Sequence, residues 1–221
     1  MNQEACAPSL PAGPRPIVRW LTTPWVDRTL GIVALIPFAY LIAVQFQRHF
    51  KPVESFYLVE TLFLIGIVVF RRPAERVSTN PLYWLLAFVT SYWGLLTLSV
   101  EQPGHAIVSI WVVVPVLPIS AVLLIWARLS LGRNFGLVPA QRQIVERGAY
   151  RWMRHPIYTA YFLATVISAL GSYTPRNLLV YSLGVVLQVF RSLAEEQFLS
   201  TDPTYLAYMQ RVPWRWVPGV I

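Results

Sequence analysis

Residues 106–127 read AIVSIWVVVPVLPISAVLLIWA, twenty-two residues without one ionisable side chain. A helix crossing a bilayer upright needs roughly 20 apolar residues, with about 17 as a practical minimum. This stretch therefore predicts a membrane-spanning helix. Five more apolar stretches flank it: Leu30–Phe46, Phe56–Phe70, Leu82–Val100, Ile157–Ser172 and Leu178–Phe190. The last two are short and Pro175-Arg176 parts them, so they form either a hairpin that stops within the membrane or two spans lengthened by their flanks. The expected fold is an all-α integral membrane bundle of five to six transmembrane helices.

Composition agrees. Of 221 residues, 56% are hydrophobic and 13% charged, against about a quarter charged in a soluble domain. A charge within hydrocarbon costs several kcal/mol, on the order of the 2.5–3.5 found for helix insertion, so the charges gather between the apolar runs. The length permits one domain. Residues 1–28 read as a Pro-rich tail, with Pro8, Pro11, Pro14, Pro16 and Pro24. No apolar core precedes a small-residue cleavage site there, so the tail is not a signal peptide. Trp20 and Trp25 suit the headgroup layer. The one cysteine, Cys6, excludes an intrachain disulfide and a cysteine-based metal site.

The formal net charge is +8, and every basic residue except Lys51 is arginine. The arginines do not form a continuous basic stripe, and with the spans this excludes a nucleic-acid binder. With both termini cytoplasmic, fifteen basic residues fall on the inner side and Arg48, Lys51 and Arg176 on the outer. That asymmetry sets the expected orientation, and arginine-rich, lysine-poor usage points to a bacterial inner membrane. Pro37, Pro115 and Pro118 lie inside spans and read as kink positions. Glu60 lies in the second stretch; it is either an intramembrane functional carboxylate or, less than two turns from Glu54, a residue of the outer interface.

Two polar clusters fall on the same expected side. Arg154-His155-Pro156-Ile157-Tyr158 opens the fifth stretch. Pro156 suits a first helical turn, and the open N–H groups there favour an anion. Arg191 and Glu195-Glu196 close the sixth stretch. Arg191 and Glu195 are four residues apart and share a helix face, which predicts a local ion pair. Adjacent carboxylates point in different directions, leaving one of the two open to a ligand. Asp202-Pro203 predicts the cap and first residue of a last short helix carrying Tyr205 and Tyr208, with Trp214 and Trp216 as interface anchors. Each cluster alone also fits plain interfacial residues.

In order and spacing, several motifs between Leu131 and Val217 resemble the isoprenylcysteine carboxyl methyltransferase family, a relative of the phospholipid methyltransferases. They are Leu131-Gly132-Arg133-Asn134-Phe135, then Ile144-Val145 with Gly148-Ala149-Tyr150, then Arg154 to Tyr158, then Arg191, Glu195-Glu196 and Leu199, and last Tyr205, Tyr208 and Arg211-Val212-Pro213. The resemblance divides the chain into a tail (1–28), four helices (29–128) and a cofactor-binding and catalytic region (129–221). It implies S-adenosylmethionine bound on the cytoplasmic side by Arg142, Gln143, Ile144, Val145, Tyr150, His155, Pro156, Ile157, Tyr158 and Glu195. It implies Arg191 facing the substrate, with Arg154 a second catalytic candidate and Glu196, Tyr205 and Tyr208 in support. Ala160 stands where many members have glycine.

Methyl transfer from a sulfonium needs no acid for its leaving group, so alignment dominates. A carboxylate nucleophile calls for a guanidinium such as Arg191; a thiol or amine calls for a proton acceptor such as Glu195, Glu196 or His155. The expected partner is thus a lipophilic small molecule or lipidated substrate, besides the membrane lipids. O-methylation of a carboxylate is the leading expectation; methylation of a thiol or phospholipid amine, an NADPH-dependent membrane reductase and a non-enzymatic transporter are the rivals.

Overall fold

The computed structural model describes residue 20, residues 23–48 and residues 65–220. Cys6, Glu54, Glu60 and most of the Pro-rich tail and of the second apolar stretch lie outside the described residues. The described chain is mostly helical. It runs through α1 (Pro24–Arg48), β1 (Arg76–Val77), α2 (Pro81–Val100), α3 (Ile110–Leu131), β2 (Ala140–Gln141), α4 (Pro156–Gly171), α5 (Pro175–Leu199) and α6 (Pro203–Arg211). Short 3-10 turns, Gly132–Asn134 and Gly148–Arg151, flank β2.

Local sequence explains the starts. Pro24, Pro81, Pro156, Pro175 and Pro203 each open a helix, where a missing N–H has no cost and φ is preset. Polar side chains cap most of them. Asn80 accepts from Leu82 N–H, Ser109 from Trp111 N–H, Thr174 from Asn177 N–H and Asp202 from Thr204 N–H. The Asp202-Pro203 start is the one expected from sequence.

The helices over Ile110–Asn134 and Pro175–Leu199 are long and apolar enough to cross a membrane, and few of their residues are buried within the protein. Trp111 is 84% exposed, and Val114, Ile119, Val122 and Leu179 also stand outward. So much apolar surface is out of place in water and at home in lipid. The apolar stretch before Arg191 ends at Phe190, yet α5 continues to Leu199. Its 25 residues span about 37 Å, while the 16 residues of α4 span about 24 Å.

Neighbouring helices alternate in direction. At one end, Asn177, fully buried, accepts from Gln102 N–H (3.0 Å) and donates to the carbonyls of Gln102 (2.8 Å) and Ser172 (2.7 Å). His105 and Tyr173 exchange backbone bonds beside it. At the other end, Arg128 near the close of α3 donates to Tyr161 of α4 (2.8 Å), and Tyr83 of α2 donates to Gln197 of α5 (2.7 Å). Tyr92 of α2 donates to the Ala34 carbonyl of α1 (2.7 Å). Among the described residues, the two polar clusters expected from sequence sit at the second end.

The α2–α5 contact is close. Trp93 Nε1 donates to the Val180 carbonyl (3.0 Å), and a Cβ at Gly184 would lie 2.7 Å from Trp93 Cδ1. Gly184→Val is expected to lower stability by about 1–3 kcal/mol through overpacking. Thermal unfolding in detergent checks this; a midpoint equal to wild type would show that the indole shifts without cost.

Candidate functional site

The site is built where α4 begins and α5 ends. Pro156 is the first residue of α4 and His155 its cap residue. Tyr158, buried in the first turn, donates its hydroxyl to Glu195 Oε2 (2.7 Å). One turn earlier on α5, the Arg191 guanidinium carbon lies 6.0 Å from the Tyr158 ring centre. Arg191 Nη1 donates to the Thr90 and Ser91 hydroxyls of α2 (3.0 Å each), and its Nη2 to the Leu137 carbonyl (2.7 Å).

The expected Arg191–Glu195 ion pair does not form. Among the described residues no carboxylate lies within ion-pair distance of Arg191, and no cation within that distance of Glu195. The magnitudes explain why. An exposed i,i+4 pair is worth about 0.3–0.5 kcal/mol, whereas a hydrogen bond to a charged group is worth about 1.5–3. Tyr158 on one side, and Thr90, Ser91 and Leu137 on the other, outweigh the pair.

Glu196 faces elsewhere. It meets Arg154 (2.8 Å), Arg215 (2.5 Å) and His155 (3.4 Å), and is itself buried. Arg154 Nη1 also donates to the carbonyls of Val212 (2.9 Å) and Pro213 (2.7 Å). The backbone joins in: Arg154 N–H bonds Trp214, and His155 N–H bonds Arg215 (2.9 Å each). Thr159 donates its hydroxyl to the Trp216 carbonyl (2.7 Å). Residues 212–216 are thus laced along the start of α4. The structure places Arg154, the second catalytic candidate, in this anchor, and the His155 N–H is taken by a tail carbonyl.

The loop ahead of α4 is fixed from α1. Arg142 Nη2 meets both carboxylate oxygens of Asp27 (3.1 and 3.2 Å), and its Nε bonds the Arg72 carbonyl (2.9 Å). Arg71 Nε is 2.7 Å from the same carboxylate. Burial pulls both guanidinium pKa values down and Asp27 pushes them back up, and arginine stays charged throughout. The two-stranded pairing of Arg76 with Gln141 and Val77 with Ala140 continues this fixation. Gln143 accepts from Arg72. Ile144 packs on the buried Tyr205, Tyr208 and Val212 of the last helix and tail.

Tyr150 is buried, and its carbonyl accepts from the Tyr208 hydroxyl (2.8 Å). Burial first and the Glu195 charge second push its phenol well above the ordinary tyrosine range. Burial likewise raises Tyr205 and Tyr208, with the Glu196 carboxylate adding to the rise at Tyr205. All three stay neutral donors at any working pH. The Glu195 charge also raises Tyr205 and favours the charged form of Arg142. Ala160 is buried within α4.

Sequence reasoning passed over Asp27, Thr90, Ser91, Leu137 and Arg215. Asp27 had a signal: it is the one acidic residue between Glu4 and Glu54, and it directly precedes an apolar stretch. The hydroxyls and the Leu137 carbonyl carry no such mark.

The described chain thus combines exposed apolar helices with a cation and a carboxylate, Arg191 and Glu195, that lie one turn apart without pairing. Residues 111–201 match the model of the isoprenylcysteine carboxyl methyltransferase family. No curated protein matches the chain. The matched region contains Tyr158, Arg191 and Glu195; Asp27 and residues 212–216 lie outside it.

Removal of Glu196 leaves two guanidinium groups without their counter-charge. Glu196→Gln is expected to destabilise by about 3 kcal/mol or more, and Glu195→Gln by about 1 kcal/mol or less. Denaturant titration of both variants in one detergent checks the ranking, and equal losses would contradict it.

Proposed function

We propose that this protein transfers a methyl group from S-adenosylmethionine to a lipophilic carboxylate at the cytoplasmic face of a membrane. The observation that carries the reading is the separation of Arg191 and Glu195, a cation and a carboxylate one turn apart on α5 that do not pair. Glu195 is half-buried and, among the described residues, bonded only to a neutral phenol. Such a carboxylate suits a donor molecule that brings cationic and hydroxyl groups. Arg191 presents an uncompensated fork that suits an anionic acceptor.

In this reading Glu195 holds the cofactor, and His155, Pro156, Ile157, Tyr158 and Tyr150 wall it. Gln143, Ile144 and Val145 supply the opposite loop, and Arg142 fixes that loop through Asp27. S-adenosylmethionine supplies the electrophilic methyl group and a neutral thioether leaving group. Arg191 holds and orients the substrate carboxylate through the charge that Thr90, Ser91 and Leu137 leave unneutralised. Arg154 and Glu196 act as positioning residues that keep the start of α4 in place. Tyr205 and Tyr208 close the site from beneath, and their neutral, buried rings keep water out, which favours the meeting of opposite charges.

The wider assignment follows the same lines. We read α1 to α5 and the stretch ending at Phe70 as a bundle of five to six spans, with both termini cytoplasmic and a bacterial inner membrane as host. The excess of basic residues at the site end supports that orientation. An isoprenoid or similarly apolar acid, free or attached to a carrier, is the substrate class.

Arg191→Ala is expected to abolish methyl transfer while S-adenosylhomocysteine affinity stays within about twofold, because only a substrate contact is lost. Transfer to carboxylates, thiols, phenols and amines in parallel, with labelled donor, reads the acceptor atom; transfer to amines alone would sink the carboxylate reading. Tyr158→Phe frees Glu195 to swing toward Arg191. Turnover should then fall by about tenfold or more, as loss of a charge-assisted hydrogen bond at a reacting centre implies. Steady-state kinetics with unchanged kcat would remove Tyr158 from its spacing role.

A further inference from the structure

We propose that the concavity between the end of α3 and residues 143–147 binds the headgroup of an anionic phospholipid. It holds about 460 Å3 and is walled by Arg72, Arg133 and Arg147, with Asn134 and Gln143 between them. Glu146 is the one carboxylate in its lining, and it is engaged by Arg211 of α6. Arg72 meets only the neutral oxygen of Gln143, and Arg133 Nε donates to the Phe70 carbonyl (2.6 Å). Among the described residues none of the three arginines lies within ion-pair distance of a carboxylate. Three guanidinium groups around one hollow repel each other and concentrate an anion between them. Their planar forks match phosphate oxygens.

Position decides which phosphate. Arg133 and Asn134 lie in the turn directly after Leu131, where the apolar α3 ends. Just before that turn, Trp126 and Leu129 of α3 are exposed, at 44% and 58%. In an integral membrane protein this is where lipid-facing helix gives way to headgroups. A phosphate seated among the arginines leaves its acyl chains free to lie along α3. None of the lining residues belongs to α4 or α5, but Gln143, Ile144 and Val145 line the hollow and also belong to the loop given to the cofactor above, so the two ligands would meet opposite sides of one loop. The proposal needs membrane residence but not methyl transfer.

The test is native mass spectrometry of the detergent-purified full chain titrated with phosphatidylglycerol or phosphatidylcholine. Phosphatidylglycerol should be retained over phosphatidylcholine. Each of Arg72→Gln, Arg133→Gln and Arg147→Gln should weaken that retention about five-fold, the increment of one basic residue at a membrane surface. Arg176→Gln, at the opposite end of the bundle, should leave it unchanged. If Arg72→Gln or Arg133→Gln does not fold, Arg147→Gln alone gives the answer, since Arg147 is exposed in a loop. Equal retention of the two lipids, or a wild-type response from Arg147→Gln, overturns the proposal. So does competition by millimolar inorganic phosphate, which would mark a free-phosphate site. Displacement of the lipid by S-adenosylhomocysteine would assign the hollow to the cofactor and overturn it likewise.

Discussion

Everything at the polar end of the bundle turns on keeping Arg191 and Glu195 apart. Four residues of helix would ordinarily bring them together, and their own attraction in water is small. The fold prevents it by giving each a better neutral partner: a phenol from α4 for the carboxylate, and two hydroxyls and a carbonyl from α2 and the 135–141 loop for the guanidinium. Neutral partners satisfy hydrogen bonds without cancelling charge. The result is a dipole written across one face of α5, with neither end neutralised by the other.

Two other carboxylates do the reverse. Asp27 and Glu196 are each surrounded by more than one cation and are largely buried. Such clusters stabilise little in net terms, because desolvation consumes most of the attraction. What they fix is position. Asp27 ties α1 to the loop that reaches Arg191, and Glu196 ties the last residues of the chain to the start of α4. The segments nearest and farthest in sequence are thereby fastened to the same site from two sides.

Much of this could be read in advance, and the reasons are local. Helix starts were marked by proline with a polar residue before it, and Asp202-Pro203 behaves as its residue types dictate. Apolar runs located the helices, although α5 outlasts its run by nine residues because Arg191 to Leu199 keep helical bonding after the hydropathy falls. The grouping of Tyr158 with Glu195 followed from both lying at the same expected end. The division of labour between Glu195 and Glu196 did not, since adjacent residues on a helix differ only in direction, and direction depends on which neighbour is there. Nor did the fate of Arg154. Its partners are mostly carbonyls of residues 212–214, and a backbone carbonyl looks the same at every position of a sequence.

The lacing of residues 212–216 along α4 has a bearing on biogenesis. The bundle helices can enter the membrane and pack while the ribosome is still attached, but the start of α4 then lacks the carbonyls that take the N–H groups of Arg154 and His155. The start of α4 takes the shape seen here only once residues 212–216 have been made and folded back onto it. The helices are thus made before the strap that finishes the start of α4.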